Sequence, residues 1–307
     1  MSAPTAIRFA GYQPEVSIHT KAGRRFGERL TDALGDAVTF EQTVSILDQG
    51  RPAGDLAPLV AEGTYDCCYM STIRFATDVP ALRLFDTPFL IADRKAAYRE
   101  LDGAFGDTLK AAVAAKTPFR VLGFWDNGFR QISNRVRPIH SPQDCRGLSI
   151  RTQMNDDIVE AFGLIGFTPR PTDISVAIEE LTAGRIDGQE NPLTSINAFG
   201  IQKLHKHITL TGHIFGVALL VANAERYASW PEEIRAAVDA AAADATAYQR
   251  ELAAEQDVTL RTALEAEGVD FVDLTDAERQ AFADAVAPLS ARLTAAFDPE
   301  LLNRLRG

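Results

Sequence analysis

Short apolar runs alternate with helically spaced ones along most of the chain. Residues 7–10 read as a strand, broken by Gly11 and Pro14; Phe26, Leu30 and Leu34 then recur at helical spacing up to Gly35. Residues 38–44 predict a second strand, 56–61 a helix ending at Gly63, and 67–70 a third strand. A Pro-containing turn followed by a helix fits "DTPFLIADRKAAYRELDG", and residues 119–124 read as another strand. The rhythm continues with strands at 148–151, 186–188 and 219–221 and helices at 158–162 and 174–181. Alternating β and α segments argue for an α/β sheet covered by helices on both faces.

The C-terminal part differs. Ser229-Trp230-Pro231-Glu232 has the form of a capping box with proline in the first turn. No Gly or Pro interrupts the Ala-rich stretch from there to Glu267, so the pattern predicts one overlong helix, bent or bridging two domains, ended by Gly268. Residues 269–272 read as a strand, and Thr275 with Glu278 forms a second capping box opening a last helix. At 307 residues two domains are the default. With no linker or repeat visible, the chain is expected to cross between them more than once.

A net charge of −11 with no Lys/Arg block argues against nucleic acid or an anionic bilayer as partner. No run of about 18 apolar residues is present to span a membrane. Residues 1–7 lack the basic and apolar regions of an export signal; a cytosolic protein and a leader replaced by Met both fit. Cys67, Cys68 and Cys145 are odd in number and lack zinc-ligand spacing, so buried free thiols are expected.

Chemistry concentrates in two places. Arg130, Arg135, Arg137 and Arg151 crowd one region, where Arg135 and Arg137 read as solvated surface. Arg151 ends "GLSIR", in which Leu148 and Ile150 alternate with Ser149 as in a half-buried strand; a guanidinium there is drawn inward and requires an anionic partner. Its planar fork of donors matches a carboxylate as Lys cannot. The second place is "RIDGQENPLTSINA", a polar knot after an apolar helix. Pro192 pushes Asn191 into extended backbone and suits the first turn of a helix, which makes Asn191 either a plain N-cap or an amide aimed at a ligand. Asp187 and Glu190 allow an acid/base pair or ordinary structural hydrogen bonds. The five histidines form no metal signature and read as surface or capping residues, and no P-loop, G-x-G-x-x-G or G-x-S-x-G occurs.

The segments "LRLFDTPFLIAD", "NGFRQISNRVRPIHSPQDCRGLSIR" and "LTAGRIDGQENPLTSINAFGIQKLHKHITLTGH" resemble the solute-binding proteins of TRAP transporters, the DctP family. Order and spacing agree over most of the chain, and the N-terminal quarter matches loosely. The resemblance implies an α/β fold of the periplasmic-binding-protein type, class II-like, with two lobes around a ligand cleft and a long helix from about Trp230 spanning both. Lobe I would take residues 1–126 plus 215–255 and lobe II 127–214 plus 256–307. It implies a periplasmic, monomeric receptor without cofactor or metal, which binds a small carboxylate and serves membrane permease subunits. Site residues implied are Arg151 and Asn191 on the ligand carboxylate, Arg130 assisting, and Ser71, Arg74, Tyr12 and Gln13 from the first lobe. Ile174 stands where an aromatic sometimes packs on the ligand, Val176 replaces a common Glu, and Ser71 replaces the acidic residue of sialic-acid binders. The alternatives are a lyase or isomerase using Asp187 or Glu190, and a sensor or scavenger on the same fold.

Overall fold

A computed structural model describes residues 3–306; residues 1, 2 and 307, which the sequence reading placed at the outer ends of the two lobes, lie outside the described residues. The strands are β1 (Thr5–Ala10), β2 (Val38–Thr43), β3 (Cys67–Ser71), β4 (Phe119–Asn134), β5 (Ser149–Thr152), β6 (Thr168–Pro171), β7 (Gly188–Pro192), β8 (His207–Thr209), β9 (Phe215–Asn223) and β10 (Asp270–Val272). The helices are α1 (Ile18–Leu34), α2 (Leu56–Ala61), α3 (Arg94–Leu101), α4 (Ala104–Lys116), α5 (Asp156–Ile165), α6 (Ile174–Thr182), α7 (Leu193–Ala198), α8 (Ala224–Ser229), α9 (Glu232–Ala266), α10 (Asp276–Thr294) and α11 (Pro299–Arg306).

The strands align in the order β2-β1-β3-β9-β4-β7-β5-β6, with β8 beside β4 and β10 beside β8. Strand β4 joins the two lobes. Its first part, from Phe119 to Phe129, pairs antiparallel with β9, and its last part, from Arg130 to Asn134, pairs with β7. The sequence reading ended this strand at residue 124, with Gly123 inside it and Gly128 just beyond. Both are tolerated because the ladder shifts register at Val121/Gly123 and at Asp126/Gly128. At the second bulge Gly128 adopts φ +82, and a Cβ there would lie 2.6 Å from that of Pro192, so only glycine fits the crossing.

Each lobe has its own core. Cys68, Phe124, Val217 and Leu219 pack on one face of the first half-sheet, with Phe9, Phe26, Tyr69 and Trp125 on the other. Ile132, Ile150, Phe162 and Phe282 build the core of the second lobe. Helix α9 has 35 residues, about 50 Å at 1.5 Å per residue. Near its start Val238, Ala242 and Ala245 join the first-lobe core; near its end Leu260 and Leu264 pack with Leu193 and Ile196 of α7. The long helix therefore runs along both lobes, one of the two outcomes that the uninterrupted Ala-rich pattern left open.

Gln249, fully buried at the middle of α9, clasps the β4 bulge: its Oε1 accepts the Asp126 N–H (2.8 Å) and its Nε2 donates to the Asp126 carbonyl (2.6 Å). Gln249→Ala leaves both backbone groups buried and unpaired, so it lowers unfolding stability by about 2–3 kcal/mol. Urea denaturation checks this; a loss below about 0.5 kcal/mol, the scale of a surface change, rejects the clasp.

Several local readings are corrected. Ser229 does not cap α9: it ends α8, where its hydroxyl donates to the Arg226 carbonyl, and extended Pro231 holds the N-cap position of α9. The Thr275/Glu278 box is present, but α10 is not the last helix. The final helix α11 sends Leu301, Leu302 and Leu305 into the first-lobe core instead of staying with the second lobe, because its apolar stripe meets the Leu101 end of α3. Asn191 is no N-cap either. It lies in β7, and Pro192 itself occupies the N-cap of α7.

Candidate functional site

A small cavity lies between the lobes, the kind of place where small-molecule sites occur. From the first lobe, the loop after β1 brings Tyr12 and Gln13 to it. The buried Tyr69 hydroxyl accepts both of their backbone N–H groups, at 3.3 and 3.1 Å. Gly11 is needed here, since a Cβ would meet the Val44 carbonyl at 2.7 Å and the Tyr69 ring at 2.9 Å. Ser17 caps α1 and donates its hydroxyl to Gln13 Oε1, which fixes the Gln13 side-chain amide. Strand β3 supplies Met70 and Ser71, and the turn behind it supplies Arg74.

The second lobe supplies Arg151, Ile174 and Asn191. Arg151 sits near the end of β5 and is only 4% exposed. Its Nε and Nη2 donate to the Thr172 carbonyl at 2.9 and 2.7 Å, which fixes one edge of the fork and leaves the far end, with Nη1, for the cavity. Among the described residues it has no carboxylate within salt-bridge reach. Burial pulls its pKa down to about 10; nearby Glu190 opposes this, while Arg130 adds to it. A cation held this dry is stabilised by any anion that reaches it.

Arg130 is the site candidate that does not line the cavity. It is 2% exposed and lies beneath Asn191, where Nε and Nη2 clasp the Glu190 carboxylate and Nη2 also donates to Asn191 Oδ1 (3.1 Å). Asn191 in turn donates to Gln189, whose amide donates to Ser133 Oγ (2.6 Å). His213 backs Glu190 at 3.4 Å. Burial alone would raise the Glu190 pKa, but the Arg130 charge and the hydrogen bonds from His213 and Arg130 hold it near 2. The same burial lowers the His213 pKa. The "NGFR", "QENP" and "LTGH" segments thus meet in one buried polar network that aims the Asn191 amide.

Neither carboxylate of the knot lines the cavity. Glu190 is locked to Arg130, and Asp187 takes the Ser149 N–H (3.0 Å), the Ser149 hydroxyl (2.8 Å) and the Arg135 guanidinium (2.6 Å) on the outer side. The reading of the histidines as surface or capping residues is corrected for three of them: His19, His205 and His213 are buried, because helix and strand packing enclose them. His19 stacks on Tyr69 at 4.9 Å, with burial driving its pKa to about 3. The three cysteines are buried free thiols, and Cys67 and Cys68 lie in β3 without reaching the cavity. Val176 is half-exposed outside it.

Sequence reasoning missed Asn127, Gln153, Ser195 and Phe199, which also line the cavity. A usable signal existed. Gln153 follows Arg151 at strand period, and Ser195 and Phe199 are four apart on one face of α7 and its C-cap, after Asn191 at the end of β7. Asp173 was missed as well. Its carboxylate caps α6 through the Ser175 N–H, then crosses to the first lobe, where it accepts the Ala53 N–H (3.2 Å), the Gly54 N–H (3.1 Å) and Arg74 Nη2 (2.9 Å).

Two mixed α/β lobes joined by a shared strand and a bridging helix, with a buried guanidinium facing the space between, define a two-lobed solute-binding protein. The chain belongs to the bacterial extracellular solute-binding protein family 7, the DctP family of TRAP transporters, whose profile matches residues 14–296. It is 33% identical over 286 residues to the 2,3-diketo-L-gulonate-binding periplasmic protein YiaO of Escherichia coli K12, covering 92% of this chain and 85% of that one. A TRAP periplasmic solute-binding protein of Bordetella bronchispeptica, with ligand density interpreted as pantoate, superimposes with a TM-score of 0.90 at 30% identity, over 98% of both chains. A Polaromonas homologue bound to D-erythronate gives a TM-score of 0.89 at 28% identity, again over 98% of both. No helix among the described residues is long and apolar enough to cross a membrane.

Proposed function

We propose that this chain is the periplasmic receptor of a TRAP transporter, capturing a small organic acid through Arg151 and Asn191 and presenting it as a monomer to membrane permease subunits. The observation that carries the reading is Arg151 itself, a guanidinium 4% exposed at the wall of an interlobe cavity. A solvent-exposed Arg–carboxylate pair contributes only about 0–1 kcal/mol. Between closed lobes the effective dielectric falls and the same pair strengthens several-fold. The ligand bridges the lobes, so occupancy shifts the open–closed population, and a permease can read the closed shape. The ligands in the names of the relatives above, diketogulonate, pantoate and erythronate, are all carboxylates, which favours an acid here too. With Asp187 and Glu190 turned away from the cavity, ligand recovered after long incubation is expected chemically unchanged.

A thermal-shift screen over mono- and dicarboxylates, sugar acids and neutral sugars tests the reading. A cognate acid at 100 times its dissociation constant stabilises the protein by about 2.7 kcal/mol. Stabilisation by neutral sugars alone, or by no acid, overturns it.

A further inference from the structure

The cavity holds two guanidinium groups at its wall, and only one of them lacks a counter-charge. Arg74 donates to Asp173 at 2.9 Å, and the Asp173 side chain is only 11% exposed. Further back, Arg130 is neutralised by Glu190. The other lining groups are neutral: the Gln13, Asn127, Gln153 and Asn191 amides, the Ser71 and Ser195 hydroxyls, and apolar surface from Tyr12, Met70, Ile174 and Phe199. Gln153 Oε1 is buried without a hydrogen-bond partner. Buried polar atoms of this kind call for partners. The wall therefore offers one positive charge at Arg151 and, away from it, neutral donors and acceptors.

Resting on the carboxylate reading above, we propose that Asp173 sets the charge of the acid this cleft accepts: by holding Arg74 across the lobes it leaves Arg151 as the one uncompensated cation, so the ligand is a singly charged hydroxy acid of the aldonate type and dicarboxylates are excluded. An aldonate places its carboxylate on Arg151 and its hydroxyls on the neutral groups. A second carboxylate would reach the far wall without a free cation and would lose hydration that nothing replaces. Moving to Arg74 would require breaking the Asp173 contact, which also holds the Ala53 and Gly54 N–H groups and so joins the two lobes. The same carboxylate thus latches closure and excludes the dianion. Asp173 is a positioning residue: it acts through Arg74 and touches no ligand atom.

Matched acids that differ only at the terminal carbon test this: D-erythronate against meso-tartrate, D-gluconate against D-glucarate, and D-galactonate against galactarate. Titration calorimetry on the wild type is expected to favour the aldonate of at least one pair by about tenfold or more, the size of one charge-assisted contact. In Asp173→Asn, which keeps a side-chain oxygen for the α6 cap but frees Arg74, the aldarate-to-aldonate affinity ratio is expected to rise by about tenfold. In Asp173→Asn combined with Arg74→Gln the gain disappears. Wild-type affinity for an aldarate equal to or above that for its aldonate overturns the proposal without any variant, as does an unchanged ratio in Asp173→Asn or an absence of binding by every aldonate. Arg151→Ala keeps the two ideas apart: loss of both members of a pair upholds the carboxylate reading even where the ratio has failed.

Discussion

Arg151→Ala is expected to weaken binding of the cognate acid by about two to three orders of magnitude. Truncating one partner of a buried, hydrogen-bonded charge pair costs about 2–5 kcal/mol, and each 1.4 kcal/mol is tenfold. The neighbourhood offers no substitute, since Arg74 is held by Asp173 and Arg130 by Glu190. Arg151→Lys keeps a charge but loses the fork, and an ammonium reaching for the ligand gives up the two bonds that Nε and Nη2 make to the Thr172 carbonyl. It recovers only part of the affinity. Calorimetry gives the affinities, and the ligand-induced rise in melting temperature should vanish in the alanine variant. Affinity within about threefold of wild type, under 1 kcal/mol, removes Arg151 from the site.

Breaking the Arg130–Glu190 pair is expected to have the largest effect on stability. Both side chains are at most 2% exposed, and removing one partner of a buried pair strands the other charge, at a cost of about 3–5 kcal/mol. Arg130→Ala and Glu190→Ala should each unfold at clearly lower urea. A volume-matched Arg130→Met, Glu190→Leu double variant should lose less than either single change, because no buried charge remains. Its ligand binding should still fall, since Asn191 Oδ1 loses its partner and the amide its aim. Acid adds an independent readout. Glu190 has a folded pKa near 2 against about 4.3 for an unfolded Glu. A depressed carboxylate stabilises above the unfolded value, and that stability drains as pH falls from about 5 toward 2. Burial raises the Asp86 carboxyl, which acts in the opposite sense, so the test is a difference: Glu190→Gln should flatten the acid limb relative to wild type. Coincident acid limbs with unchanged urea midpoints would show that the pair is not structural.

The parts of the fold legible in the sequence depend on neighbours a few residues apart. Helix α9 was visible because nothing from Glu232 onward breaks it and Gly268, at φ +82, ends it. The Thr275/Glu278 box closes within one turn. Arg151 was legible because it ends a short, half-buried strand, where a guanidinium is drawn inward and calls for a partner. Where the reading failed, the deciding partner was distant. Strand β4 is 16 residues long because β9 and β7, remote in sequence, pair with it in succession. Ser229 had the spacing of a cap, yet the turn at Trp230 and Pro231 separates α8 from α9.

By its own pattern the chain determined its alternating α/β elements, the long helix, the unpaired thiols and the strand that buries a guanidinium, since these follow from periodicity, turn residues and the cost of dehydrating a charge. Only the tertiary structure decided which charges are already answered. Arg130 meets Glu190 across 60 residues and Arg74 meets Asp173 across 99, and no local rule separates those arginines from Arg151. Electrostatic pairing depends on distance in space and on burial, both of which are set when the two lobes fold against each other.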